Sequence, residues 1–148
     1  MVAFGKVSLN SIYHEDAQYS LQISGTVTEA DVGKALAIDT SAPNTLKLAD
    51  DNDVILGRLA AFEDRVAQGL KMCTLSAEGA YAFPVNPDAT ASGPDETPAV
   101  GDYICGAKNN AGALGFVQKI ANGAQQKWLV TELIMNGSTL THVVALKV

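Results

Sequence analysis

Apolar residues in this chain recur at every second position, in short runs cut by turn residues, and that period fixes the fold class before anything else does. Leu21 and Ile23 alternate with Gln22 and Ser24 ahead of Gly25. Leu36 and Ile38 follow Gly33, and Leu46 and Leu48 follow Pro43 and Asn44. Val54 to Ala61 is a more continuous apolar run broken by Gly57, which reads as a bulge. Met72, Thr74 and Ser76 oppose Cys73, Leu75 and Ala77, while Tyr81, Phe83 and Val85 share one face. Near the C-terminus KWLVTELIM and STLTHVVALKV flank Asn136-Gly137, a pair suited to a type I′ turn whose two central residues need positive φ. A hairpin is predicted there, with Trp128 anchoring the core. Only Thr28-Glu29-Ala30-Asp31 asks for a helix; it opens like a capping box but meets Gly33 within one turn. The expectation is an all-β fold, a small antiparallel β-barrel or sandwich with little helix.

Two stretches lack the alternation. Residues 1–20 scatter Phe4, Tyr13 and Tyr19 among polar groups and read as an extended N-terminal arm that orders against a neighbouring subunit. The run FPVNPDATASGPDETPAVG holds four of the five prolines and the acids Asp88, Asp95 and Glu96, and reads as a long exposed loop at about 84–101. Residues 21–148 are then a single β domain carrying that loop. A chain of 148 residues buries enough surface for one core without metal or disulfide support.

Sixteen acids against ten bases give a net charge of −6, with no basic cluster, which sets aside nucleic acid and anionic membrane surfaces as partners. No apolar run reaches the length of a membrane span and no signal-peptide pattern opens the chain, so a soluble, unexported product is expected. Cys73 and Cys105 stand alone without CxxC spacing; they read as two buried thiols, with a disulfide between them as the alternative.

The cluster Asp50-Asp51-Asn52-Asp53 invites a cation site. An EF loop fails in both registers: from Asp51 the glycine position holds Leu56 and the twelfth holds Phe62, and from Asp50 they hold Ile55 and Ala61. Asp and Asn also bond their own backbone at tight corners, so the cluster reads as an acidic turn closing a hairpin between TLKLA and VILGRL. The two histidines, His14 and His142, have no nucleophile motif beside them, and GxSxG, HExxH, GxxxxGK[ST] and GxGxxG are absent. No catalytic residue, metal ligand or cofactor is expected.

In order, VTEADVGKALAID, NTLKLADDNDVILGRLAAFEDRVAQGLKMCTLSAEGAYAFPV and PAVGDYICG resemble the capsid decoration, or cement, proteins of tailed bacteriophages. The likeness lies in T-x-x-D-V-G-K at Thr28–Lys34, the acidic turn before Val54-Ile55-Leu56-Gly57, the strand pair around Glu63 to Leu75, and A-V-G-D at Ala99–Asp102. From Val27 to Gly106 the likeness spans a little more than half of the chain. The resemblance implies a non-enzymatic structural protein on the outer surface of the virion, made in the host cytoplasm. Its partners would be the major capsid protein and itself, as a homotrimer, and it would reinforce contacts between capsomers. Contacts are expected from Phe4, Tyr13 and Tyr19 in the arm and from Asp88, Asp95 and Glu96 in the loop. The alternative readings are a β-rich carbohydrate-binding or adhesin-like module and a hydrolase with carboxylates on neighbouring strands.

Overall fold

The structure is a computed structural model and describes residues 8–9, 12–13, 18–93, 95–120 and 127–148. In chain order the strands are β1 (Ser8–Leu9), β2 (Ile12–Tyr13), β3 (Gln18–Ile23), β4 (Ala35–Ile38), β5 (Thr45–Leu48) and β6 (Gly57–Arg65). They continue as β7 (Leu70–Ser76), β8 (Ala80–Pro84), β9 (Ile104–Ala107), β10 (Phe116–Lys119), β11 (Trp128–Asn136) and β12 (Thr139–Lys147). Two short 3₁₀ turns, Glu29–Asp31 and Val66–Gln68, are the only helical pieces among the described residues, so the fold is all-β as the alternation requires. The first is the expected capping-box turn: the Thr28 backbone N–H donates to Asp31 Oδ2 at 2.9 Å, and Gly33 at φ +97° stops it.

Strands β3, β5, β4, β6 and β7 pair in that order as a closed ring. Beside it stand a three-stranded sheet, β11-β12-β8, and the ribbon β9-β10; β1 and β2 form a separate two-residue pair. The ring is not purely antiparallel, which corrects the expectation. β3 and β5 meet in parallel through Gln22–Thr45 and Ile23–Leu46. The reason lies in the connection: β5 is the return strand of the β4–β5 hairpin, so it runs again in the direction of β3 and can meet it only in parallel.

Strand β4 is the wall between two cores. Leu36 faces the ring interior with Ile23, Leu46, Leu48, Leu59 and Leu75, while Ala35 and Ala37 face the second core with Phe83, Trp128 and Val143. Side chains on a strand alternate between faces, so one tetrapeptide serves both layers. Small residues on the outer face let the large aromatics come close. Trp128 is fully buried, packs edge-on against Phe83 at 5.2 Å between ring centres, and donates its indole N–H to the Ile55 carbonyl at 3.0 Å. Burying such a ring contributes about 4–6 kcal/mol at roughly 25 cal/mol per Å². Arg58 of β6 lies over Tyr81 of β8 at 4.9 Å, a second tie between the layers.

Two local readings change. Gly57 opens β6 rather than bulging it; the register slips between Leu59 and Ala61. Glycine is needed at 57 because a Cβ there would stand 2.1 Å from the Ser76 carbonyl oxygen. The C-terminal hairpin forms, but Asn136 pairs with Thr139, leaving Gly137 and Ser138 at its tip. Only Gly137 (φ +63°) has positive φ there, as in a type II′ turn and not the expected I′.

The proline-rich stretch is pinned along much of its length. Asn86 is buried, and its N–H donates to the Val117 carbonyl at 2.9 Å. Thr90 and Thr97 close a small loop through Thr90 N–H to the Asp95 carbonyl and Thr97 N–H to the Thr90 carbonyl. Proline supplies extended geometry here, and backbone donors on the neighbouring segments fix it.

Gly57→Ala should lower stability by about 1–3 kcal/mol, the range for inserting a methyl into packed surroundings, read as a shift of the urea midpoint at constant slope. Gly25→Ala, where nothing lies within 4 Å of the new Cβ and only the positive φ opposes it, serves as the milder comparison.

Candidate functional site

The acidic cluster is a turn, as its composition predicts. The Asp53 N–H donates to the Asp50 carbonyl at 3.1 Å, Asp53 Oδ2 accepts the Asp50 N–H at 2.8 Å, and Asn52 takes φ +62°. It does not close a hairpin. β5 and β6 are not partners; β4 lies between them, so the turn is a crossing between two strands of one ring. Its backbone instead docks on β9: the Asn52 N–H donates to the Gly106 carbonyl at 3.0 Å and the Gly106 N–H to the Asp53 carbonyl at 2.8 Å. Gly106 permits this approach, since a Cβ there would lie 2.5 Å from the Asp50 carbonyl oxygen.

Each acid of the turn is engaged within the chain. Lys47 meets Asp53 at 2.9 Å, and Lys108 meets Asp50 and Asp51 at 3.3 and 3.4 Å. The backbone N–H of Asp51, followed by the Lys108 ammonium, holds the Asp50 carboxyl below its usual range despite some opposing desolvation. Among the described residues no group of three or more His, Cys, Asp or Glu side chains is placed to hold a metal ion. A comparable device follows β4, where Asp39 accepts from Ser24 Oγ at 2.5 Å and from Ser41; these bonds pull its carboxyl down to about 2.

The sequence-predicted contact residues do not converge. Phe4 lies outside the described residues. Tyr13 pairs through its backbone with Ser8 in the β1–β2 pair. Tyr19 is on β3 opposite Leu75 and is 54% exposed. Asp88 is exposed but serves the fold, its Oδ2 accepting the Asn110 N–H at 2.7 Å. Glu96 is half-buried and meets Lys119 Nζ at 3.0 Å, and that contact comes first among the causes raising the Lys119 pKa. Asp95 is half-buried, with its carbonyl engaged by Thr90. His142 is exposed on β12 beside Pro84 of β8. Cys73 and Cys105 are free, one in the ring and one on β9, and burial pushes each thiol up to about 11.

The surface that the sequence reading missed is the outer half of the C-terminal hairpin. Every residue from Thr131 to Asn136 is exposed, including Leu133 (36%), Ile134 (38%) and Met135 (50%). Two register slips, at Val130/Glu132 and Ile134/Met135, carry the inward-facing set from Val130 to Leu133 and then to Met135 opposite Leu140. The sequence hides this shift, because Leu129 and Ile134 are apolar as well and fill both parities on either side of Thr131 and Glu132. Beneath this end lies an open groove of about 530 Å³ between the hairpin and the proline-rich stretch, lined by Pro84, Pro87, Phe116, Met135, Leu140 and His142. No protein-family model, curated protein or solved structure matches the chain.

In the native protein both thiols should resist a thiol-disulfide reagent at neutral pH, and two per chain should react once urea unfolds it; fast labelling before unfolding would contradict the burial described. Asp39 gives an acid-side expectation. Its folded pKa lies below the unfolded 3.8, so its contribution is complete well above pH 4 and is lost as pH falls toward 2. Asp39→Asn should therefore flatten the fall in thermal midpoint between about pH 4 and 2 relative to the parent.

Proposed function

We propose that this chain is a non-enzymatic structural protein that binds the exterior of a tailed-bacteriophage capsid and reinforces contacts between capsomers, acting as a homotrimer on the outer surface of the virion. The observation that carries the reading is the projecting hairpin, whose exposed Leu133, Ile134 and Met135 serve no core of their own chain. An apolar surface left outside both cores is what an assembly protein requires. The ordered resemblance supports the same reading. Its segments fall largely on the ring and on the acidic turn that fastens the ring to β9, the part of the molecule that acts as a scaffold.

Binding an assembled lattice in preference to separate capsomers stabilises assembly by linkage, about 2.7 kcal/mol per site at a hundredfold excess over Kd. Many such sites act together on one shell. In this scheme Phe4 and Tyr13 of the N-terminal segment and Tyr19 on β3 face the major capsid protein, together with the loop acids Asp88, Asp95 and Glu96, of which Asp88 and Glu96 also hold Asn110 and Lys119. A carbohydrate-binding module finds less support: Trp128, Phe83 and Tyr81 are all buried, and of the aromatic side chains whose burial is described only Tyr19 stands exposed.

The test is co-sedimentation of the full chain with phage shells stripped of accessory proteins. Saturable binding is expected, and the triple variant Phe4→Ala, Tyr13→Ala, Tyr19→Ala should bind at least about tenfold more weakly, or about 1.4 kcal/mol, with an unchanged circular dichroism spectrum. Absence of binding by the parent chain would sink the capsid reading.

A further inference from the structure

We infer that Asn136-Gly137, at the exposed end of the β11–β12 hairpin, is a site of spontaneous covalent modification, where the Asn136 amide is lost through a cyclic imide and replaced by a carboxylate. The inference goes beyond the capsid reading and does not depend on it.

The reaction needs a side-chain amide, a free backbone nitrogen on the next residue, and enough motion to bring the two together. The Gly137 nitrogen gives its proton to hydroxide and bonds to Asn136 Cγ. The Cγ–Nδ2 bond breaks, and the departing nitrogen takes a proton from water and leaves as ammonia, which regenerates the hydroxide. The product is a five-membered imide, and water opens it at either carbonyl. Opening at Cγ restores the ordinary main chain with aspartate in place of Asn136. Opening at the main-chain carbonyl leaves isoaspartate, with the chain running through Cβ and Cγ. In total one water enters and one ammonia leaves, with no change of oxidation state.

The described asparagines differ in how well they meet these needs. Asn86 precedes Pro87, whose nitrogen carries no hydrogen. The nitrogens that follow Asn52 and Asn109 are engaged: the Asp53 N–H donates to the Asp50 carbonyl at 3.1 Å, and the Asn110 N–H to Asp88 Oδ2 at 2.7 Å. Asn44 precedes Thr45, which is buried and β-branched. Asn110 and Ala111 are both exposed, but the alanine Cβ crowds the attacking nitrogen. At Asn136 both residues are exposed, and the Gly137 N–H has no hydrogen-bond partner among the described residues. Glycine adds no Cβ to shield that nitrogen, and nothing lies within 4 Å of where one would stand.

Motion is the remaining need. Asn136 pairs with Thr139 as the last rung of the ladder, and the paired backbone limits the rotation that brings Cγ to the Gly137 nitrogen. That rung must open first. It lies beyond the support of the neighbouring strand, because β8 pairs with β12 only from His142 to Leu146. It also lies beyond the root of β11, where Val130 bonds to Gly101 and Asp102. An unsupported two-stranded end frays at little cost in free energy, so the native fold slows the reaction only modestly. The outcome is one more negative charge on a chain that already carries −6, placed next to the exposed Met135. Isoaspartate also lengthens the main chain by one atom at the final rung.

The experiment is peptide mapping of the full chain after incubation in mildly alkaline buffer, with and without urea. Cleavage after lysine separates the sites: Asn109 and Asn110 fall in 109–119, Asn122 in 120–127, and Asn136 in 128–147, where it is the only side-chain amide. Asn122-Gly123 lies outside the described residues, and its separate peptide keeps its conversion from being counted here. In the native protein peptide 128–147 should gain the mass of an amide-to-acid exchange at least about tenfold faster than peptide 109–119, a difference of about 1.4 kcal/mol in barrier. Its product should resolve by chromatography into aspartate and isoaspartate forms, and its rate should rise with pH. Urea should speed it by no more than about tenfold, the opening cost of a fraying end. A native rate no faster than that of peptide 109–119, conversion confined to urea, or a product holding aspartate alone would overturn the inference.

Discussion

The arrangement of layers depends on one short strand having a different size of side chain on each face. In β4, Leu36 fills the ring while Ala35 and Ala37, both essentially inaccessible, meet the second core. With bulky residues at 35 and 37, Phe83 and Trp128 would have no room and the indole N–H could not reach Ile55. The same division continues at the end of β5, where Leu48 faces the ring and Ala49 the other side. A closed ring of five short strands encloses little volume, and its outer wall must be covered by something. Alanine makes the covering close-packed, and the buried indole bond then orients the cover.

The acidic residues play a structural part that composition alone conceals. Asp50, Asp51 and Asp53 shape a turn whose backbone extends β9, and Lys47 and Lys108 offset the charge gathered there. Asp31 and Asp39 fasten the turns on either side of β4. Asp88 and Glu96 fasten the proline-rich stretch to Asn110 and Lys119. Carboxylates that accept backbone N–H bonds at corners let a small, strongly turned fold satisfy its donors without helix caps or long ladders.

Much of this was legible in the sequence, and the failures have physical causes. Period-two runs located most of the strands because burial on one face imposes that period. Tyr81, Phe83 and Val85 lie together in one core, and Trp128 anchors it. The turn at Asp50–Asp53 was readable from side-chain chemistry, but its partners were not, because which strands pair depends on contacts far apart in sequence. The parallel meeting of β3 and β5 has the same origin. The II′ turn shifted by one residue from the expected position because cross-strand register, set by the two bulges in β11 and β12, decides which residues occupy the tip. The contact residues were chosen for expected exposure, yet Asp95 and Glu96 are half-buried, since a proline-rich stretch on a β surface borrows donors from whatever it crosses.

The ring also has a consequence for how the chain reaches its fold. β3 contributes the first described strand of the ring, yet its long antiparallel partner is β7, with Gln18 opposite Ser76, 58 residues later. Its contact with β5 covers only two residue pairs. Until β7 is available, β3 has almost nothing to hold it, and the ring interior stays open on that side. Closure is thus a non-local, entropically expensive event that comes after the β4–β5 hairpin and the β6–β7 pair have formed locally. During synthesis the segment around Leu21 and Ile23 waits as an unpaired apolar strand, which makes it the point where a nascent chain is most exposed to pairing with the wrong neighbour.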